Sequence, residues 1–182
     1  FWGVNPLQRP FWFMNLAVGG RGGLEHDHST VIISSRRAMR DRDAYIRWLG
    51  VVAHEFFHVW NVRRMRPISL GEYDYQNEQY TRQLWLAEGL TSYLADHLLK
   101  EQRGQGINHR RSALQRYANF VREQNDFALQ DFRARHSTSS QAVGYDKSLM
   151  LFHMLRRQLG DETFIRGLRQ FYREQVFQTA GF

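Results

Sequence analysis

Two histidines four residues apart, with a glutamate directly after the first, stand in the segment Val52-Ala53-His54-Glu55-Phe56-Phe57-His58-Val59-Trp60. On a helix, residues i and i+4 project from one face, so His54 and His58 can offer their imidazoles to a single metal ion. Glu55 is turned by about 100° round the axis, within reach of a water activated by that ion without being a ligand. This is the H-E-x-x-H arrangement, in which the histidines bind zinc and the glutamate serves as general base. Thirty positions after His58, Glu88 lies in Leu84-Trp85-Leu86-Ala87-Glu88-Gly89-Leu90-Thr91-Ser92-Tyr93, a second helical stretch. A catalytic zinc takes three protein ligands and keeps a further position open; His54, His58 and Glu88 make up such a set, for one zinc per chain.

The surroundings of these residues point the same way. Val51, Val52, Phe56, Phe57 and Val59 make the first helix apolar, and imidazoles buried against such a face need a polar partner. Glu88 sits among Trp85, Leu86 and Leu90, where an unpaired carboxylate is costly. Ser92, one turn beyond Glu88, is placed either to hydrogen-bond a ligand from behind or to be an ordinary helix serine.

The elements that must carry these side chains can be traced along the chain. Phe11 to Val18 is short and aromatic and Thr30 to Ser35 is β-branched, so both read as strands, with Gly22 to His28 as connection and strand entry. From Asp41 the signals turn helical. Asp41 or Asp43 caps a helix running through Val59 that must stop before Pro67. Ile68 to Asn77 reads as a loop. A helix follows over about Glu78 to Arg103, with Leu84, Leu90, Leu94 and Leu98 near one stripe. Gly104-Gln105-Gly106 ends it, and another helix fits Arg110 to Gln124. Arg133 to Ala142 reads as a loop, and helices over Tyr145 to Leu159 and Asp161 to Gln178 are separated by Gly160. A small N-terminal β-sheet followed by a mainly helical body is an α+β pattern. At 182 residues a single domain is expected, with its sheet portion at about 1–40 and its helical portion at about 41–182.

Composition narrows the functional classes. With no cysteine, disulfides and thiolate sites are excluded and any metal must sit on His, Asp or Glu; compartment stays open between bacterial cytoplasm and periplasm. No apolar run approaches the roughly 18 residues of a membrane span, and no signal-peptide pattern opens the chain. Starting at Phe1 without an initiator Met, the chain is expected to be an excised fragment or a processed product. The net charge of +7 comes from 23 Arg against 2 Lys. These arginines are scattered, at most in pairs such as Arg63-Arg64, and no nucleic-acid-binding signature accompanies them, so an Arg-biased solvated surface is expected rather than a polyanion site.

The two motifs resemble those of the gluzincins, zinc peptidases with a glutamate third ligand on the next helix. Within that group, His54 to Val62 and Trp85 to Tyr93 are similar to the glycyl aminopeptidase branch, relatives of aminopeptidase N and leukotriene A4 hydrolase. Gly22-Gly23-Leu24-Glu25-His26 resembles the Gly-x-Met-Glu-Asn strand by which such aminopeptidases hold substrate. Leu24 and His26 replace the Met and Asn, so His26 does not inherit the asparagine's role. Gly144-Tyr145-Asp146-Lys147 resembles the segment whose tyrosine steadies the oxyanion. The resemblance covers about Phe11 to Leu155. It implies a thermolysin-like catalytic domain, zinc as cofactor, and a peptide with a free N-terminus as substrate. Glu25 would pair with the substrate ammonium through a charge-assisted hydrogen bond. The backbone at Gly22 and Gly23 could come close to the peptide, and Tyr145 would donate to the oxyanion. It also implies a flanking N-terminal β-domain and a PDZ-like domain outside these residues. Competing readings are a zinc endopeptidase or epoxide-hydrolase-like enzyme on the same scaffold, and a peptide-binding zinc domain without turnover, which would not need Glu55.

Overall fold

A computed structural model of the chain describes residues 2–71, 74, 76–77, 79–103, 106–123, 125–132, 140–176 and 179–180. Three strands, β1 (Trp12–Leu16), β2 (Gly22–Glu25) and β3 (Ser29–Ile33), form a sheet in the order β1-β3-β2. β1 runs parallel to β3, with Trp12 opposite Ser29 and Leu16 opposite Ile33. β2 runs antiparallel to β3, with Gly22 opposite Ile33 and Glu25 opposite Thr30. Gly19 and Gly20, both at positive φ, let the chain leave β1 and cross to the far side of β3, a turn that L side chains resist.

Gly22 to Glu25, expected as connection and strand entry and as resembling a substrate-holding strand, forms the edge strand β2. Two glycines and an exposed leucine carry almost no strand signal of their own. β3, whose Thr30 and Ile32 are buried, supplies the hydrogen-bonding partner.

The Asp41 carboxylate accepts from the Ala44 backbone N–H at 2.7 Å and starts α1 (Arg42–Phe57). This helix lies against the sheet: Trp48 donates its indole N–H to Asn15 Oδ1 at 3.0 Å, and the Phe56 ring meets Phe11 and Phe13 at centroid distances of 5.4 and 5.8 Å. After α1 comes a tight reversal, then β4 (Arg66–Pro67), which pairs with β5 (Thr179–Ala180) near the end of the chain.

Two of the remaining helices begin as π-helix. Trp85–Leu90 is π-helical and continues as α2 (Thr91–Arg103); Ser140–Lys147 is π-helical and continues as α4 (Ser148–Leu159). Thus the helix expected from about Glu78 starts some residues later, and Ser140 to Ala142, expected in a loop, is helical. Of that loop, 133–139 lie outside the described residues, as do 104 and 105 at the expected helix end. Between the two lies α3 (Gly106–Arg122), which starts before the expected Arg110. The last helix, α5 (Asp161–Gln175), follows Gly160, whose φ of 79° makes the sharp break read from the sequence. It ends before the expected Gln178, which itself lies outside the described residues.

The core gathers Phe57 of α1, Leu86 and Leu90 of the first π segment, Tyr93 and Leu94 of α2, Leu149 and Phe152 of α4, and Phe164 of α5. Each side chain so buried contributes roughly 1.5–3 kcal/mol. None of the described helices is long and apolar enough to cross a membrane. A short sheet followed by a helical body is the expected α+β class.

Candidate metal centre and active site

His54 and His58 lie in the last turn of α1 and at its C-cap, and Glu88 lies in the middle of the first π segment. Their ligand atoms form a small triangle. His54 Nε2 to His58 Nε2 is 3.1 Å, His54 Nε2 to Glu88 Oε2 is 3.0 Å, and His58 Nε2 to Glu88 Oε2 is 3.5 Å. A tetrahedral zinc with bonds of 2.0–2.1 Å needs ligand atoms about 3.3 Å apart. The three sides of the triangle straddle that value, so the residues fit a zinc ion without rearrangement.

The other ring nitrogens are held from behind. His58 Nδ1 meets the Asn61 carbonyl at 3.2 Å, and His54 Nδ1 meets Ser92 Oγ at 3.3 Å. A carbonyl can only accept, so Nδ1 of His58 carries a proton; once the ring is neutral, its Nε2 lone pair faces the triangle. Ser92 thus makes the contact to His54 that the first of the two readings offered for it requires.

Asn61, to which the sequence assigned no role, links the two ligand-bearing helices. Its amide Nδ2 lies 2.9 Å from each of the Leu86 carbonyl, the Ala87 carbonyl and Thr91 Oγ1. One residue thereby orients His58 through its backbone and grips the π-helix of Glu88 through its side chain. It is 1% exposed, and a buried asparagine between Trp60 and Val62 was the available signal. Val62, next in the chain, takes φ 84°; for a β-branched residue this is a strained conformation, worth roughly 1–3 kcal/mol. It belongs to the reversal that brings Asn61 under the π-helix.

Glu55 is 6% exposed, and its Oε2 has no hydrogen-bond partner among the described residues. Burial pushes its carboxyl up to about 7; the nearby His58 opposes this, and Glu25 and Glu88 add to it. A carboxyl poised near neutrality is well matched to taking and returning a proton. In the metal triangle, burial opposes charge on Glu88, but His58 and hydrogen bonds from both histidines hold it well below the usual carboxylate range. Burial likewise opposes charge on His58, yet Glu88 outweighs it and lifts the imidazole to about 9. Burial dominates at His54 and pulls its imidazole down.

The remaining expected residues converge on the same place. A carboxylate oxygen of Glu25 lies within 4.8 Å of ligand atoms of both Glu55 and His58. Those three residues could also face a cation, but Glu55 Oε2 has no hydrogen-bond partner among the described residues to aim it, unlike His54 and His58. Arg63 Nε donates to Asp27 at 2.8 Å and Arg64 donates to the Asp27 carbonyl at 3.2 Å, which ties the β2–β3 turn to the end of α1. Tyr145, in the second π segment, stacks on His54 with ring centroids 6.0 Å apart. Burial pushes its phenol well above the ordinary value, helped by a hydrogen bond to Glu88, so the hydroxyl keeps its proton and remains a donor. His26 is exposed.

Three glycines near the site, Gly23, Gly89 and Gly144, have spatial rather than conformational reasons. A Cβ on Gly23 would come within 2.4 Å of the Glu55 side chain, so its smallness makes room for Glu55. Gly22 has open space around its Cα. A Cβ on Gly89 would fall 2.1 Å from that of Ser148, and one on Gly144 would meet Leu84 Cδ2 at 2.8 Å. Gly89 in the segment of Glu88 thus admits Ser148 at the start of α4, and Gly144 in the segment of Tyr145 admits Leu84 just before the first π segment.

Comparison with known proteins places this arrangement. Residues 47–180 match the M61 glycyl aminopeptidases. An aminopeptidase N family protein from Idiomarina loihiensis superposes with a TM-score of 0.75 at 26% identity, over 98% of this chain and 35% of that one. An M1 zinc metallopeptidase from Deinococcus radiodurans, solved with a Tyr-Ser-Ala substrate, shares the fold at a TM-score of 0.54 and 15% identity, over 94% of this chain and 33% of that one. The chain thus spans about a third of the length of either relative. No curated protein matches it significantly in sequence.

Proposed function

Because this chain belongs to the M61 glycyl aminopeptidase family, we propose that it is the catalytic part of a zinc-dependent aminopeptidase that removes small N-terminal residues such as Gly or Ala. The observation that carries this reading is the triangle of His54 Nε2, His58 Nε2 and Glu88 Oε2 at 3.0–3.5 Å, with the unpartnered Glu55 oxygen beside it. Flanking domains would complete the protein.

His54, His58 and Glu88 would hold the zinc. Bound there, zinc supplies Lewis-acid polarisation and lowers the pKa of water. Glu55 accepts the proton of the attacking water and then delivers it to the leaving amine. The Tyr145 phenol, kept protonated, donates to the oxyanion that grows on the substrate carbonyl. Glu25 and Glu55 lie close enough to repel each other, so a substrate ammonium seated at Glu25 relieves that repulsion. This supports an exopeptidase.

The test compares a short Gly-led peptide with its N-acetylated twin, using zinc-loaded protein. Acetylation removes the charge that Glu25 pairs with, and a charge-assisted bond is worth about 1.5–3 kcal/mol, so the blocked peptide should be cleaved at least about tenfold more slowly. Equal cleavage of both would make the protein an endopeptidase. A zinc content near zero after incubation with zinc would remove the metallopeptidase reading altogether.

A further inference from the structure

The reversal after α1 grips the segment of Glu88 through Asn61, and a few residues further on it grips a second functional element. Arg64 is 6% exposed, so its guanidinium is withdrawn from water and needs acceptors inside the protein. It finds two carbonyls: Nη1 donates to that of Val59 at 2.8 Å, and Nη2 donates to that of Asp27 at 3.2 Å. Val59 directly follows the proposed ligand His58, and Asp27 lies in the β2–β3 turn, two residues beyond Glu25. Arg63 adds a second tie. Its Nε donates to the Asp27 carboxylate at 2.8 Å, and its backbone N–H donates to the His58 carbonyl at 3.1 Å. Two neighbouring arginines thus hold one turn residue by its backbone and by its side chain, and both are anchored on carbonyls at the metal-binding end of α1.

Strand β2 has few means of its own to hold Glu25 in register with the metal triangle. It pairs only with β3, two of its four residues are glycines, and Leu24 is exposed. The Thr30 hydroxyl donates to the Leu24 carbonyl at 3.0 Å, and the turn closes with the His26 N–H on the Ser29 carbonyl at 2.9 Å. Both contacts stay within the hairpin, whereas the triangle stands on α1 and the segment of Glu88. Gly23 against Glu55 locates the middle of β2 over α1; Arg63 and Arg64 locate the end where Glu25 stands. A substrate ammonium must meet Glu25 while the first peptide carbonyl meets the triangle, so the separation of the two decides whether both contacts form at once. We propose that Arg64, with Arg63 beside it, is the positioning residue for ammonium recognition: by gripping Asp27 it fixes the distance between Glu25 and the triangle, and so sets the preference for a free N-terminus from the end of α1. This inference rests on the aminopeptidase reading of Glu25.

Arg64→Lys keeps a cation and most of the buried stem, but one ammonium cannot bridge the two carbonyls as the planar fork does. Asp27→Ala, at a side chain 55% exposed, removes the Arg63 tie without disturbing the interior, and it carries the test if Arg64→Lys fails to fold. In zinc-loaded protein, the kcat/KM ratio of a Gly-led peptide to its N-acetylated twin, at least about tenfold in the wild type, should fall toward one in both variants. The fall should come chiefly from a higher KM for the free peptide, while cleavage of the acetylated peptide changes far less. Hydrogen exchange gives a readout that needs no turnover: the amides of Gly22 to Ser29 should exchange faster in the variants, at unchanged protection of α1. A ratio that survives in the folded variants, or rates that fall equally on both peptides, would overturn the proposal and leave Arg64 an ordinary structural residue. Equal cleavage of the two peptides by the wild type, or cleavage of neither, would instead count against the aminopeptidase reading. Faster exchange of the hairpin in the variants would then retain Arg64 as the residue that positions Glu25, and unaltered exchange would overturn that as well.

Discussion

Replacing Gly89 by alanine tests whether the spacing of the two π segments sets the geometry of the active site. The new Cβ would lie 2.1 Å from Ser148 Cβ and 3.2 Å from two backbone atoms of Ser148. Carbon atoms in contact sit at about 3.5–4.0 Å, so the segments must part by roughly 1.5 Å. Glu88 directly precedes Gly89, and Tyr145 lies three residues before Ser148, so such a displacement moves the phenol relative to the metal triangle. Overpacking of this kind costs about 1–3 kcal/mol of stability, and a misplacement of about 1 Å in a reacting constellation costs on the order of 10²-fold in rate. Gly89→Ala is therefore expected to lose about 10²-fold in kcat at saturating zinc, with a lowered Tm. Adding Ser148→Gly removes the atom at 2.1 Å and leaves the next nearest atoms at 3.2 Å, so the double variant should regain most of kcat. It gives up the Ser148 hydrogen bond to the Val143 carbonyl, 2.8 Å long, and should stay less stable than wild type. Recovery of rate without full recovery of stability separates geometry from folding. Wild-type kcat in Gly89→Ala, or no recovery in a folded, zinc-loaded double variant, would refute the reasoning.

The other expectations concern single side chains. Glu55→Gln should bind zinc normally and lose about 10²–10⁴-fold in turnover; near-normal turnover would show that Glu55 is not the base. In chelator-treated protein the same variant should be more stable than wild type, because a buried carboxyl whose pKa is raised from 4.5 to about 7 weakens the fold progressively as pH rises through that interval. A tenfold difference in proton affinity between the folded and unfolded chain is worth about 1.4 kcal/mol, so the gain should grow by about 2 kcal/mol between pH 5 and pH 8, and a pH-independent difference in chemical denaturation would count against it. Tyr145→Phe should lower kcat by about 3 kcal/mol equivalent, near 10²-fold, with little change in KM; an effect on KM alone would move the phenol out of the reaction. Asn61→Ala strands the Leu86 and Ala87 carbonyls, at about 1–3 kcal/mol, and should weaken zinc binding about 10–100-fold in a competition titration, an idea abandoned if affinity is unchanged.

What could be read from the sequence was what chemistry forces to be a particular residue type. Imidazoles at i and i+4, a carboxylate between them and a third ligand on a later helix cannot be replaced by lookalikes, and His54, His58, Glu55 and Glu88 come together in space. The residues that set distances were hidden because their contribution is an absence or a backbone contact. Gly23 reads as a flexible strand residue, yet it matters because Glu55 occupies the space of its missing side chain. Gly89 reads as a weak point in a helix, yet it is where the start of α4, directly after the second π segment, touches. The π-helical winding left no mark in a hydrophobic period of 3.6, and the hydrogen bonds by which Asn61 meets the Leu86 and Ala87 carbonyls come from a residue far away in sequence. Gly22–Glu25 was legible as a strand only through its resemblance to a substrate-holding motif, its pairing being dictated by β3 rather than by its own side chains.

These hidden contacts share one physical consequence. α1 with its two imidazoles, the segment of Glu88, the segment of Tyr145 and strand β2 with Glu25 come from four separate stretches of chain. None can hold its functional atom to a few tenths of an ångström alone. Asn61 fixes the first to the second, Gly89 against Ser148 fixes the second to the third, and Gly23 against Glu55 fixes the fourth to the first. Interiors packed at crystal-like density transmit strain instead of absorbing it, so a fault at any of the three joints is delivered to the metal triangle. The joints should then behave as one unit: combined in one protein, Asn61→Ala and Gly89→Ala should weaken zinc binding by a factor different from the product of their separate effects, because both act on the same π-helical turn.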